Sequence, residues 1–168
     1  MLTLFAKILK ALNSEQSPAQ LSLAVCFALI MGFTPLFSLH NVLIILLALW
    51  IRVNLTFFII SYPLFAMLGW LLSPWTTAVG EALLQNPSMA GFWESFYNTL
   101  IGRWSGFYYT GILGGLVVGI ISAIVLFPVF QFLIRKYRET IYEKVQKTRI
   151  MLWLKASKFW QVYERFSG

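Results

Sequence analysis

The chain has 168 residues, of which 59% are hydrophobic and 11% charged, with a net charge of +7. Soluble globular domains carry about 25% charged residues, so this balance and a mean hydropathy of +0.75 point to one compact membrane domain rather than an ordinary water-soluble one. The single cysteine, Cys26, lies inside an apolar run and excludes a disulfide framework.

Met1–Leu12 sets Lys7 and Lys10 against an apolar side, the pattern of a short interfacial helix. Ser17-Pro18-Ala19-Gln20 then carries a helix start, with Ser17 as N-cap, Pro18 at the first helical position and Gln20 completing a capping box. The apolar helix that follows ends near Gly32-Phe33-Thr34-Pro35 and reaches only about 24 Å, short of a hydrocarbon core of about 30 Å. Thr34-Pro35 repeats the start signal, with Thr34 able to cap a second short helix running to Ile51. A third segment, Leu55–Leu72, is expected to break at Ser61-Tyr62-Pro63. Breaks at membrane depth survive only where protein or a wet cavity satisfies the freed backbone groups, so Gly32, Pro35 and Pro63 argue for a packed polytopic protein.

Residues 73–106 are rich in Trp, Phe and Tyr and read as one or two short helices on the membrane surface. The cleanest span is Phe107–Phe127, which carries no charge and is closed or kinked by Pro128. Residues 135–168 form a basic tail whose apolar positions Ile134, Ile141, Val145, Thr148 and Leu152 fall on one helical stripe. Fold class and organisation follow as expectations. The protein should be all-α, with a membrane domain over 1–134 and a cytoplasmic basic amphipathic helix over 135–168. Within the membrane domain, a broken helical hairpin, either crossing or re-entrant, covers 18–51, spans cover 55–72 and 107–130, and an extracytoplasmic interfacial segment covers 73–106.

Nine of the 13 Lys and Arg residues follow Ile134, directly after a span, so attraction to anionic lipid headgroups accounts for the charge more simply than nucleic acid does. Counting basic residues near the spans places both termini in the cytoplasm and residues 73–106 outside. That parity allows four crossings, or two if the 18–51 hairpin is re-entrant. Both put Arg52 on the inner side.

Along the helix after Pro35, the residues Thr34, Ser38, Asn41, Ala48 and Arg52 share one stripe. Polar groups at this depth face a bundle interior or a wet cavity. Thr34, Ser38, His40, Asn41, Arg52 and Asn54 are therefore the candidate polar groove or lipid-headgroup site, the alternative of equal weight being that this face only glues neighbouring helices together. His40 is the only histidine. A metal site needs three or four ligands, so a hydrogen-bonded structural role is expected for it and no metal or cofactor is expected. Gly111, Gly115, Gly119 and Ala123 recur every four residues and permit close helix packing, within the chain or between two copies.

Acid and base residues are too scarce for an expected catalytic set, and an enzyme would need His40 to meet Glu81 or Glu94. Met31–Asn54 carries a further pattern: Gly32, Pro35, His40, Ala48, Arg52 and Asn54 within MGFTPLFSLHN and ALWIRVN. Over residues 19–72 it resembles the bacterial membrane family called domain of unknown function 2062, with Tyr62-Pro63 standing where that family has Asn-Pro. The resemblance implies a small protein of the bacterial inner membrane, some of whose relatives look like partners of envelope or lipid-handling systems. The function expected is a non-enzymatic membrane subunit that docks another envelope protein or itself and moves phospholipid or isoprenoid lipid. The alternatives are a stand-alone small-solute transporter or a lipid-modifying enzyme.

Overall fold

The computed structural model describes residues 17–141, so the expected helices at Met1–Leu12 and along the tail beyond Ile141 lie outside the described residues. Within them the protein is helical throughout: α1 (Pro18–Gly32), α2 (Leu39–Trp50), α3 (Leu55–Leu71), α4 (Ser73–Leu84), α5 (Ala90–Tyr97), α6 (Leu100–Ser105) and α7 (Thr110–Lys136). A 3-10 turn at Pro87–Met89 precedes α5, and a π turn at Tyr137–Ile141 follows α7.

The start of α1 forms as its sequence predicts. Ser17 Oγ accepts from the Gln20 amide at 3.2 Å, and the Gln20 side chain accepts from the Ser17 amide at 3.0 Å. α1 is the central helix, packed against α3 on one side and α7 on the other. Its register against α7 is antiparallel. The Phe33 carbonyl sits on Gly115, Ile30 on Gly119, and the Cys26 thiol donates to the Ala123 carbonyl at 3.5 Å. Against α3 it is parallel, because its last turn meets the last third of α3: a Cβ added at Gly32 would lie 2.6 Å from the Phe65 carbonyl carbon. α4 runs antiparallel along the first turns of α7, with Thr76 on Gly114 and Gly80 on Thr110.

This register gives the bundle two ends. The start of α1, the α2–α3 corner and the basic last turn of α7 (Arg135, Lys136) share one end. The Phe33–Ser38 turn, the far part of α4 and α5 and α6 share the other. α2 must run back between them to join parallel α1 and α3.

α2 turns its polar residues inward, α7 packs mainly through small ones, and both present large apolar residues outward. α2 buries His40, Asn41, Ile44 and Ala48, while Val42, Leu43, Leu46, Leu47 and Leu49 point outward and Trp50 is 81% exposed. α7 buries Gly114, Gly115, Gly119 and Ala123 and exposes Ile121, Ile124, Val125 and Phe132. Among the described residues one helical stretch, Thr110–Glu139, is long and apolar enough to cross a membrane by itself, and only 28% of its most apolar window is buried. α3 and α4 meet that test together, as a pair bent by 69° at Leu72. α1 and α2 are apolar but shorter, about 22 and 18 Å by helix rise.

Three local expectations need correction. Thr34 does not cap the second helix: Ser38 holds that position, and Thr34 Oγ1 instead donates back to the Met31 carbonyl at 3.2 Å, closing α1. Pro63 does not break α3, and Pro128 does not end α7; both helices run through their prolines. Proline deletes one hydrogen bond inside a helix, and in packed apolar bundles that loss is tolerated. The interruption instead falls nine residues later, at Leu72, where Ser73-Pro74 starts α4. The 73–106 segment is also more than one or two surface helices: it folds as α4, a 3-10 turn, α5 and α6, with α4 packed lengthwise on α7.

Candidate functional site

The candidate residues separate into two groups at opposite ends of α2. At its start, the chain between α1 and α2 is tied by side chains. Asn41, 1% exposed, donates from Nδ2 to the Pro35 carbonyl at 2.8 Å, and its Oδ1 accepts from Thr34 Oγ1 at 3.1 Å. Ser38 Oγ donates to the same Pro35 carbonyl at 2.7 Å. Asn41 thus bonds Thr34 and shares the Pro35 carbonyl with Ser38, and together they hold a tight turn from whose tip Leu36 and Phe37 project, Phe37 at 99% exposure. Of the predicted stripe, Thr34, Ser38, Asn41 and Ala48 face inward, whereas Arg52 is exposed.

His40 lies beside this turn, buried, its ring 6.1 Å from that of Phe107. Neither ring nitrogen has a hydrogen-bond partner. The expected hydrogen-bonded histidine is therefore not what forms, and neither Glu81 nor Glu94 is bonded to it. A buried polar group left unpaired costs about 1–3 kcal/mol. Among the described residues no group of His, Cys, Asp and Glu is arranged to hold a metal ion.

At the other end, α2 closes in a Schellman motif. The Val53 amide donates to the Ala48 carbonyl at 3.0 Å and the Arg52 amide to the Leu49 carbonyl at 3.2 Å. The position between these bonds needs a left-handed backbone, and glycine is its usual occupant. Here it is Arg52, with φ 57°, the one non-glycine with positive φ among the described residues. Ala48 and Val53 are buried and supply the apolar contact that accompanies the motif. Asn54 then caps α3, its Oδ1 accepting from the Phe57 amide at 2.8 Å. The A-x-x-x-R-x-N spacing is thus the geometry of one corner: Ala48 packs, Arg52 turns, Asn54 restarts. The guanidinium of Arg52 is exposed and meets no acidic partner among the described residues. About 18 Å of α2 separates this corner from His40, so the six residues do not line one groove.

The small residues divide between two neighbours. Gly115, Gly119 and Ala123 lie on α1, whereas Gly114 makes the closest approach to α4, and Gly111 has only Thr77 Oγ1 nearby, 3.6 Å from an added Cβ. Gly32 packs on α3, while Pro35 sits in the turn and Pro63 in mid-helix. In α5, Trp93 Nε1 donates to the Leu83 carbonyl at 3.0 Å, fastening α5 to α4. Burial pushes the neighbouring Tyr97 phenol above its ordinary range. Sequence reasoning missed a notch at the α3–α4 bend, lined by Trp70, Ser73, Thr77 and Glu81. Its trace in the sequence is the four-residue spacing of Ser73, Thr77 and Glu81.

This architecture defines a helical bundle with one membrane-capable helix, a second bent apolar pair, and polar side chains spent on turns and corners. The bacterial family described as "Uncharacterized protein conserved in bacteria (DUF2062)" matches residues 3–141, and the chain belongs to it. That match is wider than the resemblance over residues 19–72 and takes in α4 to α7. The chain is also similar to an "Uncharacterized protein" of Treponema pallidum (strain Nichols), 25% identical over 150 residues that cover 89% of this chain and 93% of that one. No solved structure matches.

Proposed function

We propose that this is a multi-pass protein of the bacterial cytoplasmic membrane, with both termini in the cytoplasm, acting as a membrane subunit of an envelope system that handles phospholipid or isoprenoid lipid. The observation that carries the reading is the inverted polarity of α2: asparagine, histidine and alanine inward, a girdle of leucines, isoleucine and tryptophan outward. In water such a face would be a large apolar patch, which soluble monomers avoid. Against acyl chains it is the ordinary arrangement.

Topology follows from the same geometry. Phe33 lies level with Gly115, about 7.5 Å along α7 from Thr110. The 18–51 hairpin therefore reaches almost as far as the outer end of α7, which supports four short crossings over a shallow re-entrant loop. Arg52 joins Arg135 and Lys136 at one end, as the positive-inside rule requires of a cytoplasmic face. The small-residue stripe of α7 is occupied by α1 and α4, which favours a partner of different chemistry over a second copy joined through that stripe.

The test is labelling from each side in a Cys26→Ser background. Phe37→Cys and Met89→Cys should react from outside and Arg52→Cys from inside. Protection of Phe37→Cys from outside reagent would refute four crossings. For function, the chain purified from native membranes should retain phospholipid or isoprenoid lipid together with an envelope protein. Arg52→Ala should lose the associated lipid activity while still inserting; a variant that inserts and behaves as wild type overturns the lipid role.

A further inference from the structure

The 69° bend between α3 and α4 leaves a notch of about 580 Å³. Its α3 wall is Trp70 and Leu71, and its α4 wall carries Ser73, Thr77 and Glu81, one turn apart on a single face. Glu81 is exposed, and Gln85 Nε2 donates to its Oε1 at 2.9 Å. No basic side chain pairs with this carboxylate among the described residues, and the Ser73 and Thr77 hydroxyls have no hydrogen-bond partner there either. The notch thus presents an apolar indole wall, two free hydroxyls and an unbalanced negative charge. In the four-crossing arrangement it lies near the outer headgroup level, where tryptophan concentrates.

We infer that this notch binds the headgroup of an ethanolamine phospholipid, the ammonium against Glu81 and the Trp70 face and the phosphate oxygens accepting from Ser73 and Thr77. The inference rests on the membrane reading above. A carboxylate with a free lone pair selects an N–H donor over a choline, which has none to give. An aromatic face adds attraction for any ammonium. Anionic phosphatidylglycerol lacks the cation and meets the charge of Glu81 unfavourably.

Native mass spectrometry of the full chain in detergent, titrated with short-chain phosphatidylethanolamine, phosphatidylcholine, phosphatidylglycerol or free ethanolamine, tests this. Phosphatidylethanolamine should bind preferentially, and Glu81→Gln should weaken it about fivefold, the size an accessible ion pair supports. Thr77→Val, nearly isosteric, should weaken it too, with an unchanged unfolding midpoint in both variants. Equal binding of phosphatidylglycerol, wild-type affinity in Glu81→Gln, or displacement of the lipid by equimolar free ethanolamine would overturn the assignment. Release of the chain from membranes by alkaline wash would instead defeat the membrane reading itself, so the two failures are distinguishable.

Discussion

Gly114→Ala tests the helix register more sharply than any other single change. A methyl group at Gly114 would run into the Thr76 carbonyl of α4, with the Gly80 amide nitrogen 2.7 Å away. Both obstacles are backbone, so no rotamer change relieves them and α4 must move off α7. Overpacking of this kind costs about 1–3 kcal/mol, against which alanine returns about 1 kcal/mol of helix propensity. An overlap with backbone alone falls at the upper end of that range, so the net loss should be about 2 kcal/mol, a fall of about 4–8 °C in the unfolding midpoint for a chain of this size. Gly111→Ala, one turn earlier on α7, meets only the Thr77 hydroxyl at 3.6 Å and should be neutral or stabilising by up to about 1 kcal/mol. Intrinsic tryptophan fluorescence during heating in detergent reads both. If Gly114→Ala melts at or above wild type, or if Gly111→Ala is the worse of the pair, the α4–α7 register is wrong.

Arg52→Gly should raise the unfolding midpoint, since it removes a left-handed arginine worth about 1 kcal/mol; the same measurement refutes the strain if the midpoint falls. Asn41→Leu keeps the volume but deletes two hydrogen bonds, leaving the Pro35 carbonyl with Ser38 and the Thr34 hydroxyl with the Met31 carbonyl, and at about 0.5–1.5 kcal/mol per bond should cost about 1–3 kcal/mol by denaturant titration. Asn54→Ala deletes the α3 cap and should cost about 1 kcal/mol in that titration. A loss below about 0.3 kcal/mol would show the bond to Phe57 to be idle.

Local signals with a single physical meaning were legible from the residues alone. Ser17-Pro18 and Gln20 could only be a capped helix start, and the inward face of α2 followed from the spacing of its small residues. Thr34 was ambiguous because its hydroxyl serves equally to start one helix or to finish another, and Asn41, seven residues on, decided the outcome. Pro63 and Pro128 misled because a proline's cost is local whereas the packing that outweighs it is not. The Arg52 corner was hidden for a different reason: its usual marker is glycine, and an arginine stands there. The two ends of α2 could not be separated from a list of polar residues on one stripe, since the stripe says which face they share and not how far apart they work.

The glycine faces of α7 set an order of events during synthesis. α1 and α4 both complete their packing on residues between Thr110 and Ala123, which are synthesised after them. Until the final long helix arrives, the earlier ones have only one another, and the flat backbone surfaces around Phe33 and Thr76 have no mate. Assembly is thus gated by the last long helix made, and a chain interrupted before it is left with segments that have no scaffold on which to settle.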